Sequence, residues 1–203
     1  GITGSQGKTS TKDLVGAVLG RVAPTIVPEE SLNNEIGVPL TVLRIDGTSR
    51  YLVVEMGARG RGHIAQLADI VQPVVGAVLN VGRAHLGEFG SQDAIAVAKG
   101  ELVEALPPEG IAVLNADDPR VDAMASRTSA TVRRFGTGPE ADVRLSLRGL
   151  DGAAHPKVGL TWQGHSRAIT LRYVGAHQAV NAAAAAAIAL SVGLAFNDVC
   201  DGL

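Results

Sequence analysis

Gly1-Ile-Thr-Gly-Ser-Gln-Gly-Lys-Thr-Ser10 is a glycine-punctuated turn that runs directly into an amphipathic segment. A phosphate-binding loop requires that combination. Glycines let successive backbone N–H groups face inward around a polyphosphate, Lys8 supplies charge for its outer groups, and the Thr9 hydroxyl is a hard oxygen ligand suited to Mg²⁺. The general motif has a glycine five positions before Gly7; here Ile2 stands there and Gly4 lies only three before, so the loop is a shorter variant. Such a loop hangs from the end of a strand, and no full strand precedes Gly1, which points to a segment of a longer polypeptide.

After the loop, Leu14, Val15, Val18 and Leu19 share one helical face, and Gly20 supplies a stop. Leu40–Ile45 and Tyr51–Glu55 read as strands joined through Asp46-Gly47 in a hairpin-like connection. Val74–Leu79 and Ile111–Leu114 are continuous apolar runs bounded by turn residues, as expected of strands buried on both faces of a parallel sheet. Helices are predicted at His63–Val71, at Ser91–Leu106 with Ser91 as N-cap, and at Pro119–Ser126 with Asp118 as N-cap. From Asp142 to Val174 the period changes to alternation, as in Val143, Leu145 and Leu147 and later Ile169, Leu171 and Tyr173, with Asp151-Gly152 and Gln163-Gly164 as turn signals. An alanine-rich helix over Ala176–Val192 closes the pattern. The fold class is therefore α/β, a three-layer, P-loop-type, mostly parallel sheet flanked by helices and carrying a small antiparallel β patch.

The 203 residues suffice for one core, and no linker divides them. A net charge of −2, with both signs intermingled, offers no footprint for nucleic acid or an anionic membrane surface. The run Ala179–Leu190 is interrupted by Asn181 and is too short to span a bilayer. One cysteine, Cys200, excludes an internal disulfide and fits a reducing compartment, so the expected location is the cytoplasm.

Five residues carry further chemistry. Glu55 ends an apolar run, where a metal ligand beside a phosphate loop is needed, or where a strand simply meets solvent. His85 sits in a glycine-rich loop after a strand, alongside four other histidines with no better claim. Lys99 is one of only four lysines against fourteen arginines, and Gly100 follows it mid-helix, where glycine costs about 1 kcal/mol relative to alanine. That spacing suits either a solvated lysine or a place of close approach. Asn33 and Asn34 offer donors and acceptors to a polar ligand, or form a turn. Glu101 and Glu104 read as helix surface, and Asn115–Pro119 as strand end and helix cap.

Taken together, Gly4–Thr9, Asn33–Thr41, Val54–Ala58, Leu79–Leu86 and Ala98–Glu101 resemble the Mur ligases, in the family's order. The likeness covers residues 1–203 as the central ATP-binding domain; the family's amino-terminal domain, which binds a uridine nucleotide, and its carboxy-terminal domain, which binds the incoming amino acid or dipeptide, match nothing here. It implies ATP-dependent amide ligation in bacterial peptidoglycan precursor synthesis. Asn33–Thr41 and Glu55–Ala58 favour the members that join D-Ala-D-Ala to UDP-N-acetylmuramoyl-tripeptide through an acyl phosphate. By the same resemblance ATP lies against Gly4, Ser5, Gln6, Gly7, Lys8, Thr9 and Ser10, with Asn181 near the adenine, although His177-Gln178 replaces the family's usual His-Asn pair. Thr9 and Glu55 would hold one Mg²⁺, His85 a second, and Lys99 would react with CO₂ to become an anionic carbamate ligand. Lys8, Lys99 and His85 are the expected catalytic residues, and Asn33 and Asn34 would face the muramoyl peptide. Members adding single amino acids and folylpolyglutamate synthase share the loop and metal residues. From residues alone, a nucleotide-dependent switch or motor, or a noncatalytic binding module, is the competing reading, but an Asn-Lys-x-Asp guanine signature is lacking.

Overall fold

The computed structural model describes residues 1–82 and 86–203. Along the chain run β1 (Ile2–Thr3), α1 (Lys8–Gly20), β2 (Thr25–Ile26), α2 (Gly37–Val42), β3 (Tyr51–Leu52), α3 (His63–Val71), β4 (Val75–Val78), α4 (Leu86–Phe89), α5 (Gln92–Glu104) and β5 (Ile111–Asn115). They are followed by α6 (Pro119–Asp122), a 3₁₀ turn over Ala123–Arg127, β6 (Thr131–Gly136), β7 (Val143–Leu150), β8 (Pro156–Trp162), β9 (His165–Thr170), α7 (Gln178–Ser191) and α8 (Phe196–Gly202).

Seven strands form one sheet in the order β1-β4-β5-β6-β7-β8-β9, parallel as far as β7 and antiparallel beyond. The parallel pair β2 and β3 continues it on the other side, because the chain after β3 runs beside β1: Ile2 N–H donates to Val54 O at 2.9 Å and Met56 N–H to Ile2 O at 2.8 Å. Alternate residues of the parallel strands point to opposite faces, and both faces are covered. On one face Ala77, Val113 and Phe135 pack beneath α1 and α7; on the other Val78, Ala112 and Leu114 meet Ile95 and Val103 of α5, Val121 and Met124. Each fully buried Val, Leu or Phe side chain contributes about 1.5–3 kcal/mol of transfer free energy. Along α7, Ala182 to Ala187 are all completely buried, so short side chains let α1 and the sheet close tightly on that helix.

Two expectations are corrected. Leu40–Ile45 is not a strand: α2 occupies Gly37–Val42, and the Asp46-Gly47 hairpin is absent because β2 and β3 pair in parallel. The β-branched composition suggested a strand, but Asn34 Oδ1 accepts the Ile36 and Gly37 amides at 3.2 and 2.9 Å, starting a helix that buries Val38 and Thr41 three residues apart. Asp46 instead closes its own turn, accepting from the backbone and side chains of Thr48 and Ser49. The antiparallel patch lies where alternation placed it, yet it is an extension of the main sheet through the Phe135↔Val143 register.

Candidate functional site

β1 ends at Thr3, and the chain turns through Gly4–Gly7 into α1. Gly7 adopts φ +82°, and a Cβ there would run into Asn181 Oδ1, so glycine is required both by backbone conformation and by space. Among the described residues, the amides of Gly7, Lys8, Thr9 and Ser10 have no protein acceptor. These are the orphan donors of a helix N-terminus, gathered around one point. Ser5 and Gln6 are differently employed: their amides donate to Asn80 O at 3.1 Å and Asn80 Oδ1 at 2.9 Å, Asn80 Nδ2 returns a bond to Gln6 O, and Ser5 Oγ accepts from Gly82 N. Lys8 Nζ folds back to donate to Gly4 O at 3.0 Å. Burial lowers the Lys8 pKa, and the nearby Glu55 charge partly offsets that.

Glu55 is wholly buried. Its carboxylate accepts from Thr9 Oγ1 at 2.9 Å, from Ser31 Oγ, and from Asn33 Nδ2 at 2.8 Å. Thr9 Oγ1 and Ser31 Oγ are themselves 3.3 Å apart. The Thr9 hydroxyl and a buried carboxylate are the oxygen donors that a hard divalent cation takes, so the residues fit Mg²⁺. Asn33 and Asn34 part company: Asn33 faces Glu55 and its carbonyl accepts Gly57 N at 2.8 Å, whereas Asn34 Oδ1 is committed to the start of α2. Beside them a cavity of about 210 Å³ is lined by Asn34, Glu35, Gly57, His63, Gln66 and Leu67. A second cavity, of about 220 Å³, lies among Val15, Leu19, Tyr51, Val75 and Ile188 and contains none of the candidate residues.

Lys99 is 7 % exposed, not solvated. Burial, with a smaller contribution from the Lys8 charge, lowers its pKa to about 8. The glycine after it has a definite reason: a Cβ at Gly100 would overlap the Arg127 guanidinium. Arg127 lies across α5, donating to Ala96 O at 3.1 Å, Val97 O at 2.9 Å and Glu104 Oε1 at 2.9 Å. Glu101, expected on the surface, instead accepts Gly62 N at 2.7 Å and Ala65 N at 3.1 Å, capping α3 from a different helix. The segment carrying Lys99 is thus held from two sides.

The structure brings Lys8, Thr9, Glu55, Asn33 and Lys99 to the carboxyl end of the parallel strands, where open α/β sheets bind ligands. Asn181 lies under the loop at Gly7, bonded through Nδ2 to Gln178 Oε1 at 2.9 Å, and Gln178 Nε2 reaches Ser10 Oγ at 3.5 Å. His85 falls outside the described residues. Among those described, no cluster of three or more His, Cys, Asp or Glu side chains could hold a metal. A cation here would draw on hydroxyl and single-carboxylate oxygens.

Sequence reading missed Ser31 and Asn80 as members of this site. Asn80 had a signal, since it follows an apolar strand directly; Ser31 had none, because the contact bringing it to Glu55 spans 24 residues.

The family model described as the Mur ligase middle domain matches residues 2–189. A UDP-N-acetylmuramoyl-tripeptide–D-alanyl-D-alanine ligase of Mycobacterium tuberculosis is 48 % identical over all 203 residues, which make up 40 % of that protein. A crystal structure of MurF from Acinetobacter baumannii superposes with a TM-score of 0.93 at 36 % identity, covering this chain entirely and 44 % of the other. MurF ligase from Thermotoga maritima, solved in complex with ADP, gives 0.86 at 29 % identity, with 98 % of this chain and 47 % of that one covered. The chain therefore spans less than half the length of each of these three relatives.

Proposed function

This chain belongs to the Mur ligase family, matching its middle domain, and from that premise we propose that it is the nucleotide-binding part of a cytoplasmic ATP-dependent ligase that joins D-Ala-D-Ala to UDP-N-acetylmuramoyl-tripeptide. The observation that carries the proposal is the meeting of a phosphate-loop lysine and threonine with a buried glutamate and the Ser31–Asn33 segment. Phosphate chemistry and a polar acceptor surface adjoin at that point.

The reaction moves the γ-phosphoryl group of ATP to the terminal carboxylate of the peptide, releasing ADP. The amine of D-Ala-D-Ala then attacks the acyl carbon, phosphate leaves, and an amide remains. Phosphoryl transfer asks a protein chiefly for positioning and charge stabilisation. The Gly7–Ser10 amides and Lys8 supply that for the β- and γ-phosphates, and Lys8, released from Gly4 O, reaches the transferring oxygens. Thr9 and Glu55 would hold one Mg²⁺, and His85 with a carbamylated Lys99 a second; such ions would supply positive charge to offset that of the phosphates.

Lys99 qualifies as a ligand only after losing its positive charge. With a pKa near 8 a useful fraction of its amine is neutral around neutrality; Nζ attacks the carbon of CO₂, one C=O electron pair moves to oxygen, and a proton leaves the nitrogen, giving an anionic carbamate. Asn33, placed by Glu55 and Gly57, faces the peptide, and Asn34 shapes the adjoining cavity. Asn181 borders the nucleotide at Gly7.

Phosphate release by a family-length ligase carrying this domain tests the reading, with ATP, Mg²⁺ and UDP-N-acetylmuramoyl-tripeptide present. Turnover should depend on D-Ala-D-Ala and fail with single amino acids. Hydrolysis indifferent to the acceptor would refute it.

A further inference from the structure

Lys12 is a buried cation with no part in the chemistry above. It is 1 % exposed, and its Nζ donates to the Pro28 carbonyl at 2.7 Å while lying 3.0 Å from Asp13 Oδ1. Burying an ammonium is costly unless its donors are satisfied, so the position calls for a purpose. Pro28 opens the irregular stretch that carries Ser31 and Asn33 to Glu55 and Asn34 to the start of α2. Thr9 stands three residues before Lys12, one turn back on the same face of α1, and reaches the same stretch at Ser31 and the carboxylate it serves. Helix α1 therefore grips residues 28–33 at two points. One grip is through the hydroxyl that belongs to the nucleotide site, the other through a lysine placed away from it.

We infer that Lys12 is a positioning residue: by holding the Pro28 carbonyl it fixes the Ser31–Asn34 segment to the helix of the phosphate loop, so that the surface receiving the acceptor stays in register with the nucleotide. This rests on the ligase reading for the identity of the acceptor, but not for the tether itself. A lysine suits the task because its apolar stem can be buried with the rest of the side chain while its head satisfies the carbonyl of the buried Pro28.

The test measures amide hydrogen exchange over residues 28–36, the dissociation constant of Mg·ADP, and the KM values for ATP and UDP-N-acetylmuramoyl-tripeptide, in a family-length ligase. Lys12→Met keeps the stem and removes the donor. Losing one charge-assisted hydrogen bond should speed exchange over 28–36 roughly tenfold and raise the acceptor KM by a similar factor, with Mg·ADP affinity and ATP KM held within about twofold. Unchanged exchange, an unchanged acceptor KM, or nucleotide affinity falling in step with the acceptor's would each overturn the inference. Lys12→Gln retains a shorter donor and should fall between wild type and Lys12→Met; if Lys12→Met does not fold, this variant decides, and wild-type exchange and KM in it would overturn the inference. Exchange and ADP affinity need no turnover, so a wild type that fails to ligate D-Ala-D-Ala while showing the expected exchange pattern would refute the ligase reading and leave the tether standing.

Discussion

Gly100→Ala should destabilise the protein, although alanine is the better helix former. At an exposed helical site the exchange gains about 1 kcal/mol. Here the new methyl would occupy the place of the Arg127 guanidinium, which must swing out and surrender its bonds to Ala96 O and Val97 O and its pairing with Glu104. The two carbonyl bonds come from a charged donor and are together worth about 3 kcal/mol; the half-exposed Glu104 pairing adds little. The net expectation is a loss of about 2 kcal/mol, or roughly 4–8 °C in Tm for a domain of this size. Arg127→Ala should cost a comparable amount, and in that background Gly100→Ala should become stabilising by about 1 kcal/mol, since the methyl then enters vacated space. Thermal melting of the four proteins, at matched ionic strength, gives the cycle. A stabilising Gly100→Ala in both backgrounds would show that Arg127 does not hold α5, and the account of the glycine would fail.

Lys8→Ala in a family-length ligase should lower kcat by about 10²–10³-fold, near 3 kcal/mol of transition-state stabilisation, with the fold intact; near-normal turnover would remove Lys8 from the reaction. For Lys99, whose pKa falls from 10.5 to about 8 on folding, the unfolded chain binds the extra proton between those values. Stability should therefore rise with pH across that window; below about pH 8 the full burden of a buried ammonium, about 3 kcal/mol, is present, and above 10.5 it is gone. Denaturation of wild type and Lys99→Met without Mg²⁺ or CO₂ should show the methionine variant more stable at pH 7 and the gap closing by pH 10.5; a gap independent of pH would contradict this. Asp118→Ala should cost about 2 kcal/mol by urea denaturation, because Asp118 caps α6 through Arg120 and Val121 and also accepts Val81 N at 2.8 Å; a change below 0.5 kcal/mol would mean that water serves these amides equally well.

The parallel half of the sheet was legible because burial on both faces writes unbroken apolar runs such as Ile111–Leu114. Helix α3 was read to its ends, and the caps at Ser91 and Asp118 were visible because a cap is a local bond: Ser91 accepts Ala94 N and Asp118 accepts Arg120 N. Strand β6 was hidden by Arg133 and Arg134, whose charges are answered only in three dimensions. Arg133 lies 4.7 Å from the centre of the Trp162 ring and donates to Ser191, and Arg134 pairs with Asp122. The same holds for the site. Lys8, Thr9 and Glu55 announce themselves by motif and strand end, whereas Ser31 and the caps formed by Glu101 depend on contacts across 24 to 39 residues that no local pattern encodes. Asn34 shows the reverse hazard, a polar side chain beside a site whose oxygen is spent on a helix.

The run of buried alanines in α7 sets a dimension as well as filling a core. Asn181 sits at its amino end, against Gly7, a loop residue that has no room for a side chain. The clearance between that amide and Gly7 is therefore gauged by the methyl groups of Ala182–Ala187, none of which reaches solvent. A single added methylene midway along the helix would act as a shim, lifting Asn181 from Gly7 and loosening the floor of the loop at a distance. Tolerance to substitution along this plain stretch should accordingly follow the fit of the nucleotide more closely than the hydrophobicity of the replacement.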